Sequence, residues 1–100
     1  MILHTVNQSP LQTQSLQSCL RFIKPGSSLL LIENGVYGAL ANTPCSADIE
    51  IAMNSISVYA LEPDLQARGI THKLLPGIKL ADYNTFVDLA AEHSSVQSWL

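Results

Sequence analysis

Apolar residues in this chain fall into short continuous runs separated by longer segments of helical spacing. Ile2 to Val6 is the first run, an apolar strand. Ser9-Pro10-Leu11-Gln12 then offers a capping box with proline at the first helical position. The spacing predicts a helix from there to about Lys24, stopped by Pro25-Gly26. Leu16, Cys19, Leu20 and Ile23 fall at i, i+3, i+4 and i+7, one stripe facing a core, although Gln12 would sit on that stripe one turn earlier. Leu29-Leu30-Leu31-Ile32 is unbroken, the pattern of a strand buried on both faces of a parallel sheet. Glu33-Asn34-Gly35 ends it, and Val36 to Leu40 reads as one helical turn. Thr43-Pro44 opens a helix with Ile49, Ala52 and Met53 on one side. Ile56 to Leu61 is a strand rich in β-branched and aromatic residues.

Glu62-Pro63 through Arg68-Gly69 reads as a brief helix with proline at its start and glycine past its end. Ile78 to Ala81 is a fourth strand. Asp82 caps a last helix with Tyr83, Phe86, Val87 and Ala90 at helical spacing. Val96 to Leu100 adds a short terminal strand. Strands alternate with helices, and no hairpin series occurs. That order predicts βαβ units: one three-layer α/β domain over residues 1–100, with a mostly parallel sheet between helices. No internal repeat, low-complexity tract or linker divides the 100 residues, a length that suits one domain.

Composition changes the picture in one respect. Hydrophobic residues make up 47% of the chain and charged residues only 13%, against about 25% charged in an average soluble domain. Too few charges remain to cover a monomer generously, so part of the surface is expected to be subunit interface. The alternative is a sparsely charged monomer rich in Ser, Gln, Asn and Thr. The net charge is −3, and Arg21, Lys24, Arg68, Lys73 and Lys79 are scattered. No concentrated basic face is expected for nucleic acid or for an anionic membrane. No apolar run approaches the ~20 residues of a bilayer-spanning helix. The first residues lack a basic segment and a cleavage site, so a cytoplasmic location is expected, with Cys19 and Cys45 as thiols.

Little chemistry is advertised. The first strand–helix loop, Asn7-Gln8-Ser9-Pro10-Leu11, has no glycine to admit a pyrophosphate, and no GxGxxG or Walker sequence occurs. No cofactor is expected. His4, His72 and His93 are isolated, and no Cys or His pair has zinc-ligand spacing, so no metal is expected either. His4 reads as a hydrogen-bonded strand residue, His72 as a loop residue, and His93 as a group near a helix C-terminus, where a cation is favoured. Nothing resembles a nucleophile elbow. The cysteines alone have distinctive reactivity, since a thiolate can accept sulfane sulfur as a persulfide and surrender it. Cys45 lies at a first helical turn, but Asp48 opposes its ionisation. Cys19 lies on the apolar stripe, where burial raises a thiol pKa. From the residues alone, both read as inert small side chains.

The opening Ile2-Leu3-His4-Thr5-Val6-Asn7-Gln8-Ser9-Pro10 resembles the start of the DsrH/TusB family. Leu30 to Gly35, with Leu-Ile-Glu-Asn-Gly, resembles that family's second strand and turn. Tyr59-Ala60-Leu61 with Asp64-Leu65-Gln66-Ala67-Arg68-Gly69 is similar to its Tyr-Ala/Val-Leu and Asp-Leu-x-Ala-Arg-Gly block. Asp82 to Val87 and Val96-Gln97-Ser98-Trp99-Leu100 resemble its C-terminal signature. The likeness runs through the whole chain in order.

The resemblance implies the three-layer fold shared with DsrE/TusD-type and DsrF/TusC-type subunits, and assembly with them into a dimer of heterotrimers. It implies sulfur exchange with a DsrC/TusE-type protein, with the main sulfur-carrying cysteine on the DsrE/TusD-type subunit. Two pathways use such complexes: oxidation of stored sulfur and 2-thiolation of the tRNA wobble uridine. Ser15-Leu16-Gln17-Ser18-Cys19-Leu20 is similar to the Ser-Leu-x-Ser-Cys-Leu context of sulfur oxidisers. It makes Cys19 a candidate auxiliary sulfur carrier and favours the oxidation pathway. Cys45 matches no motif of the family and keeps its structural reading.

Overall fold

A computed structural model describes residues 1–100. Five strands form one sheet in the order β4-β3-β2-β1-β5, all parallel. They are β1 (Ile2–Val6), β2 (Ser28–Leu31), β3 (Ser57–Leu61), β4 (Lys79–Ala81) and β5 (Ser95–Trp99). The helices are α1 (Ser15–Phe22), α2 (Ser46–Ala52), α3 (Glu62–Ala67) and α4 (Tyr83–Glu92), with 3₁₀ segments at Glu33–Ala39 and Thr71–Lys73. Each of the five predicted strands is present, including the terminal one.

The topology explains where the helices lie. The chain steps β1 to β2 to β3 to β4 in one direction across the sheet. Crossovers between parallel strands are right-handed, so the helical pieces of those steps stack on one face. The β4-to-β5 step returns across the whole sheet, and the same handedness sends α4 to the opposite face.

Strand side chains alternate between these faces. Val6, Leu29, Leu31, Val58 and Ala60 join Leu16 and Cys19 of α1, Ile49 of α2 and Leu65 of α3 in a core of 15 buried residues. Leu3, Leu30, Leu61 and Ala81 point the other way and meet Leu89 of α4 in a core of five.

Local chemistry sets the element ends. The capping box expected at Ser9 instead closes a turn: its carbonyl accepts from Gln12 and Thr13 N–H at 3.1 Å each, and its hydroxyl from Leu11 N–H at 3.2 Å. Serine satisfies the first orphan amides without propagating a helix, and α1 starts five residues later than the capping box suggests, at Ser15. The stripe of Leu16 and Cys19 is buried as expected, with Leu20 and Ile23 packed at its margin. Past α3, Gly69 sits at φ +65°, and the Ile70 and Gly69 amides donate to the Leu65 and Gln66 carbonyls. That is the left-handed exit that glycine favours.

Asp82 caps α4 as read, accepting from the Thr85 amide at 2.7 Å. The stripe on α4 is rotated from the expected one. Leu89 is buried, Phe86 and Ala90 are partly covered, and Tyr83 and Val87 are exposed.

Candidate functional site

Cys19 is wholly buried in the middle of α1, among the apolar residues of the larger core. Removal from water pushes its thiol up to about 12, so the neutral form prevails at physiological pH. Cys45 precedes α2 and is also buried, its sulfur 3.2 Å from the Thr43 hydroxyl in a hydrogen bond. Thr43 and Ser46 tie this corner together. The Thr43 amide donates to the Ser46 hydroxyl at 2.9 Å, and that hydroxyl donates to the Leu40 carbonyl at 3.0 Å. Both thiols are free, and neither meets an incoming thiol in the folded chain.

The histidines are occupied structurally. The Trp99 indole N–H donates to His4 Nδ1 at 3.0 Å. Indole nitrogen is only a donor, so His4 must accept there and carry its proton on Nε2. Burial holds the His4 pKa below its ordinary value, in keeping with a neutral ring. His93 bridges the last turn of α4 to β2, through Leu89 carbonyl at 2.6 Å and Ser28 hydroxyl at 3.0 Å. His72 is exposed on the 3₁₀ turn Thr71–Lys73. No group of three His, Cys, Asp or Glu side chains is placed to hold a metal ion.

At the C-terminal rim of the sheet, where folds of this type place their ligands, side-chain hydrogen bonds tie the turn after β2 to α3. Arg68 donates to Asn34 Oδ1 through Nε at 3.1 Å and Nη2 at 2.9 Å, and through Nη1 to the Asp64 carbonyl at 3.0 Å. Asp64 in turn accepts from the Glu33 amide at 2.7 Å. The Glu-Asn-Gly turn and the Asp-Leu-Gln-Ala-Arg-Gly block therefore form one clamp between β2 and α3. Both motifs stand out in the sequence, but no local spacing joins them; the forked donors of arginine, which can close on a single side-chain oxygen such as Asn34 Oδ1, were the available signal. Gly35 lies against the end of β1, where a Cβ would come within 2.0 Å of the Val6 carbonyl oxygen. No other residue fits that approach.

The most voluminous concavity lies elsewhere, along β5 on the α1 side. It is a groove of about 670 Å³ walled by Phe22 and Trp99, whose rings stack with centroids 6.0 Å apart, and floored by His4 and Ile2.

This arrangement offers covered thiols, a turn clamped to α3 and exposed apolar side chains. A profile described as "DsrH like protein" matches residues 8–96. The chain belongs to the DsrH family. Protein TusB of Serratia proteamaculans is 41% identical over 99 residues, covering 98% of this chain and 100% of that one. Protein TusB of Escherichia coli K12 is 38% identical over 98 residues, with the same coverage. Among solved structures, the ychN protein of E. coli aligns with a TM-score of 0.84 at 20% identity, over 97% of both chains. The Thermotoga maritima protein Tm0979 aligns at 0.63 and 28% identity, over 93% of this chain and 94% of its own. These structures share the fold of this DsrH-family chain. No helix is long and apolar enough to cross a membrane.

Proposed function

We propose that this chain is the partner-binding subunit of a sulfur-relay complex serving 2-thiolation of the tRNA wobble uridine. It completes a cytoplasmic hetero-oligomer with TusD- and TusC-type subunits, two of each per assembly. The sulfur passes to or from a TusE-type protein on a sister subunit's cysteine. Membership of the DsrH family and full-length likeness to proteins named TusB support the pathway. The observation that carries the non-catalytic role is Cys19, with no exposed surface and a thiol pushed up to about 12. Sulfur transfer between proteins needs an accessible thiolate.

The test is replacement of the TusB gene in a host that depends on it. Wobble 2-thiouridine should return both with this chain and with Cys19→Ser. Unrestored thiolation, with the complex assembled, would exclude the pathway. Restoration by the wild type alone would make Cys19 a carrier.

One observation favours a second reading. The Ser15–Leu20 context resembles that of sulfur oxidisers, with Cys19 as an auxiliary carrier. That reading requires α1 to open, and mass spectrometry of the complex after persulfide loading would then find one added sulfur on Cys19.

A further inference from the structure

The two edges of the sheet are built differently. β4 is three residues long, carries Lys79 with its ammonium 5.5 Å over the Tyr59 ring, and follows Pro76-Gly77. Those are the devices by which a sheet edge is closed to other strands. β5 has none of them. It runs five residues, Ser95-Val96-Gln97-Ser98-Trp99, with no charge and no proline, and pairs only with β1. Ser95 to Ser98 are all exposed, so nothing in the chain covers the outer backbone groups of β5. The groove beside it adds an apolar margin in Phe22 and Met1, both 69% exposed.

We propose that β5 pairs antiparallel with β5 of a second copy of this chain, making one continuous sheet across a two-fold axis at Gln97. The inference stands apart from the sulfur-relay reading, since it needs only the edge. In this register Gln97 faces the second copy's Gln97, Val96 faces Ser98, and Trp99 faces Ser95. A self-paired strand must oppose itself without like charges or paired bulk. This one does, setting its largest side chain opposite a small one and amide opposite amide. The groove lining holds no carboxylate and a single cationic side chain, Lys24, which is exposed and free to turn to solvent, while the Met1 ammonium is tied to the Ser94 hydroxyl at 3.2 Å. The β4 edge could not pair this way without bringing Lys79 near its own copy.

Sedimentation of the purified full chain should give a dimer, with β5 amides gaining hydrogen-exchange protection as concentration rises. Gln97→Lys and Gln97→Glu should each weaken the dimer by roughly fivefold or more, by setting like charges face to face. An equimolar mixture of the two should restore association. Gln97→Cys tests the register even if the charged variants fold poorly. Directly opposed residues of antiparallel strands lie about 4.5–5.5 Å apart at Cα, within disulfide reach. Mild oxidation with oxidised glutathione should link the copies at position 97, while the buried Cys19 and Cys45 stay free. Ser95→Cys, roughly 14 Å from its equivalent in this register, should not link. A chain that sediments as a monomer at high micromolar concentration overturns the proposal. So does a dimer indifferent to both charges, or one that links equally at 95 and 97.

Discussion

The two faces of the sheet are covered unequally. On one, α1, α2, α3 and a 3₁₀ segment enclose 15 buried residues; on the other, α4 alone covers five. A residue can be equally buried on either side, as Leu31 and Leu30 are, and yet sit in a different mechanical setting. Leu31 lies beneath several elements that hold one another in place. Leu30 lies beneath one helix that can settle inward. The thick side is thus the stability reserve, and the thin side leaves Tyr83 and Val87 of α4 and Val96 of β5 open for contact with other molecules.

The sharpest way to break this comparison is a matched pair of truncations measured by urea denaturation. Leu31→Ala should cost about 3–5 kcal/mol and Leu30→Ala about 2–3 kcal/mol, because cavity cost depends on how far the surroundings collapse. Equal losses would show that α4 is held as firmly as the layer opposite.

Cys19→Ser comes next in size. A hydroxyl in the thick core costs about 1–3 kcal/mol without a full partner, offset in part by a bond to the Ser15 carbonyl one turn back. The same burial has a pH signature. The folded thiol pKa stands near 12, above its value in the unfolded chain, which is about 8.5. Stability from this source is therefore fully present below that lower value and is lost as pH rises through the folded pKa. Thermal unfolding followed from pH 8 upward should show that decline in the wild type and a shallower one in Cys19→Ser.

Val87→Ser on the thin side should leave the midpoint within about 0.5 kcal/mol of wild type, as exposed substitutions do. It should leave the β5-paired dimer intact and reduce only further aggregation of the isolated chain by light scattering; a large stability loss would mean that Val87 is covered.

The smallest effect belongs to the cap of α4. Hydrogen bonds from Thr85 hold the exposed Asp82 carboxyl below the usual carboxylate range. Its contribution is present above the unfolded carboxylate pKa, about 3.9, and fades as pH falls through the depressed folded value. Asp82→Asn retains a capping oxygen and should remove this acid sensitivity, read by circular dichroism between pH 5 and 2.

The sequence was most legible where one signal decided the outcome. The unbroken Leu29–Ile32 run located the central strand, and Asp82 located a helix start to the residue. It misled where one residue has two local uses: Ser9 caps a turn here rather than a helix. The rotated stripe on α4 has a different cause. Spacing of Tyr83, Phe86, Val87 and Ala90 identifies an apolar side, but a lone helix over a narrow core buries only part of it, centred on Leu89. Among the candidate site residues, burial of Cys19 followed from its place on the stripe. The bond from Trp99 to His4 and the clamp of Arg68 on Asn34 join positions 95 and 34 apart, which no local spacing encodes.

Where β5 lies carries a consequence for how the chain acquires its shape. β1 sits between β2 and β5, and its far side is filled only by residues 95–99. The Met1 carbonyl is claimed by the amide and hydroxyl of Ser94, 93 positions away. Contacts of such separation slow folding, because a long loop must close before they form. During synthesis β1 emerges well before β5 and keeps an open flank until residues 95–99 have left the ribosome. Nascent chains in that state are prone to clump, so a co-translational holding factor should raise the yield of this protein more than that of a helical bundle of equal length.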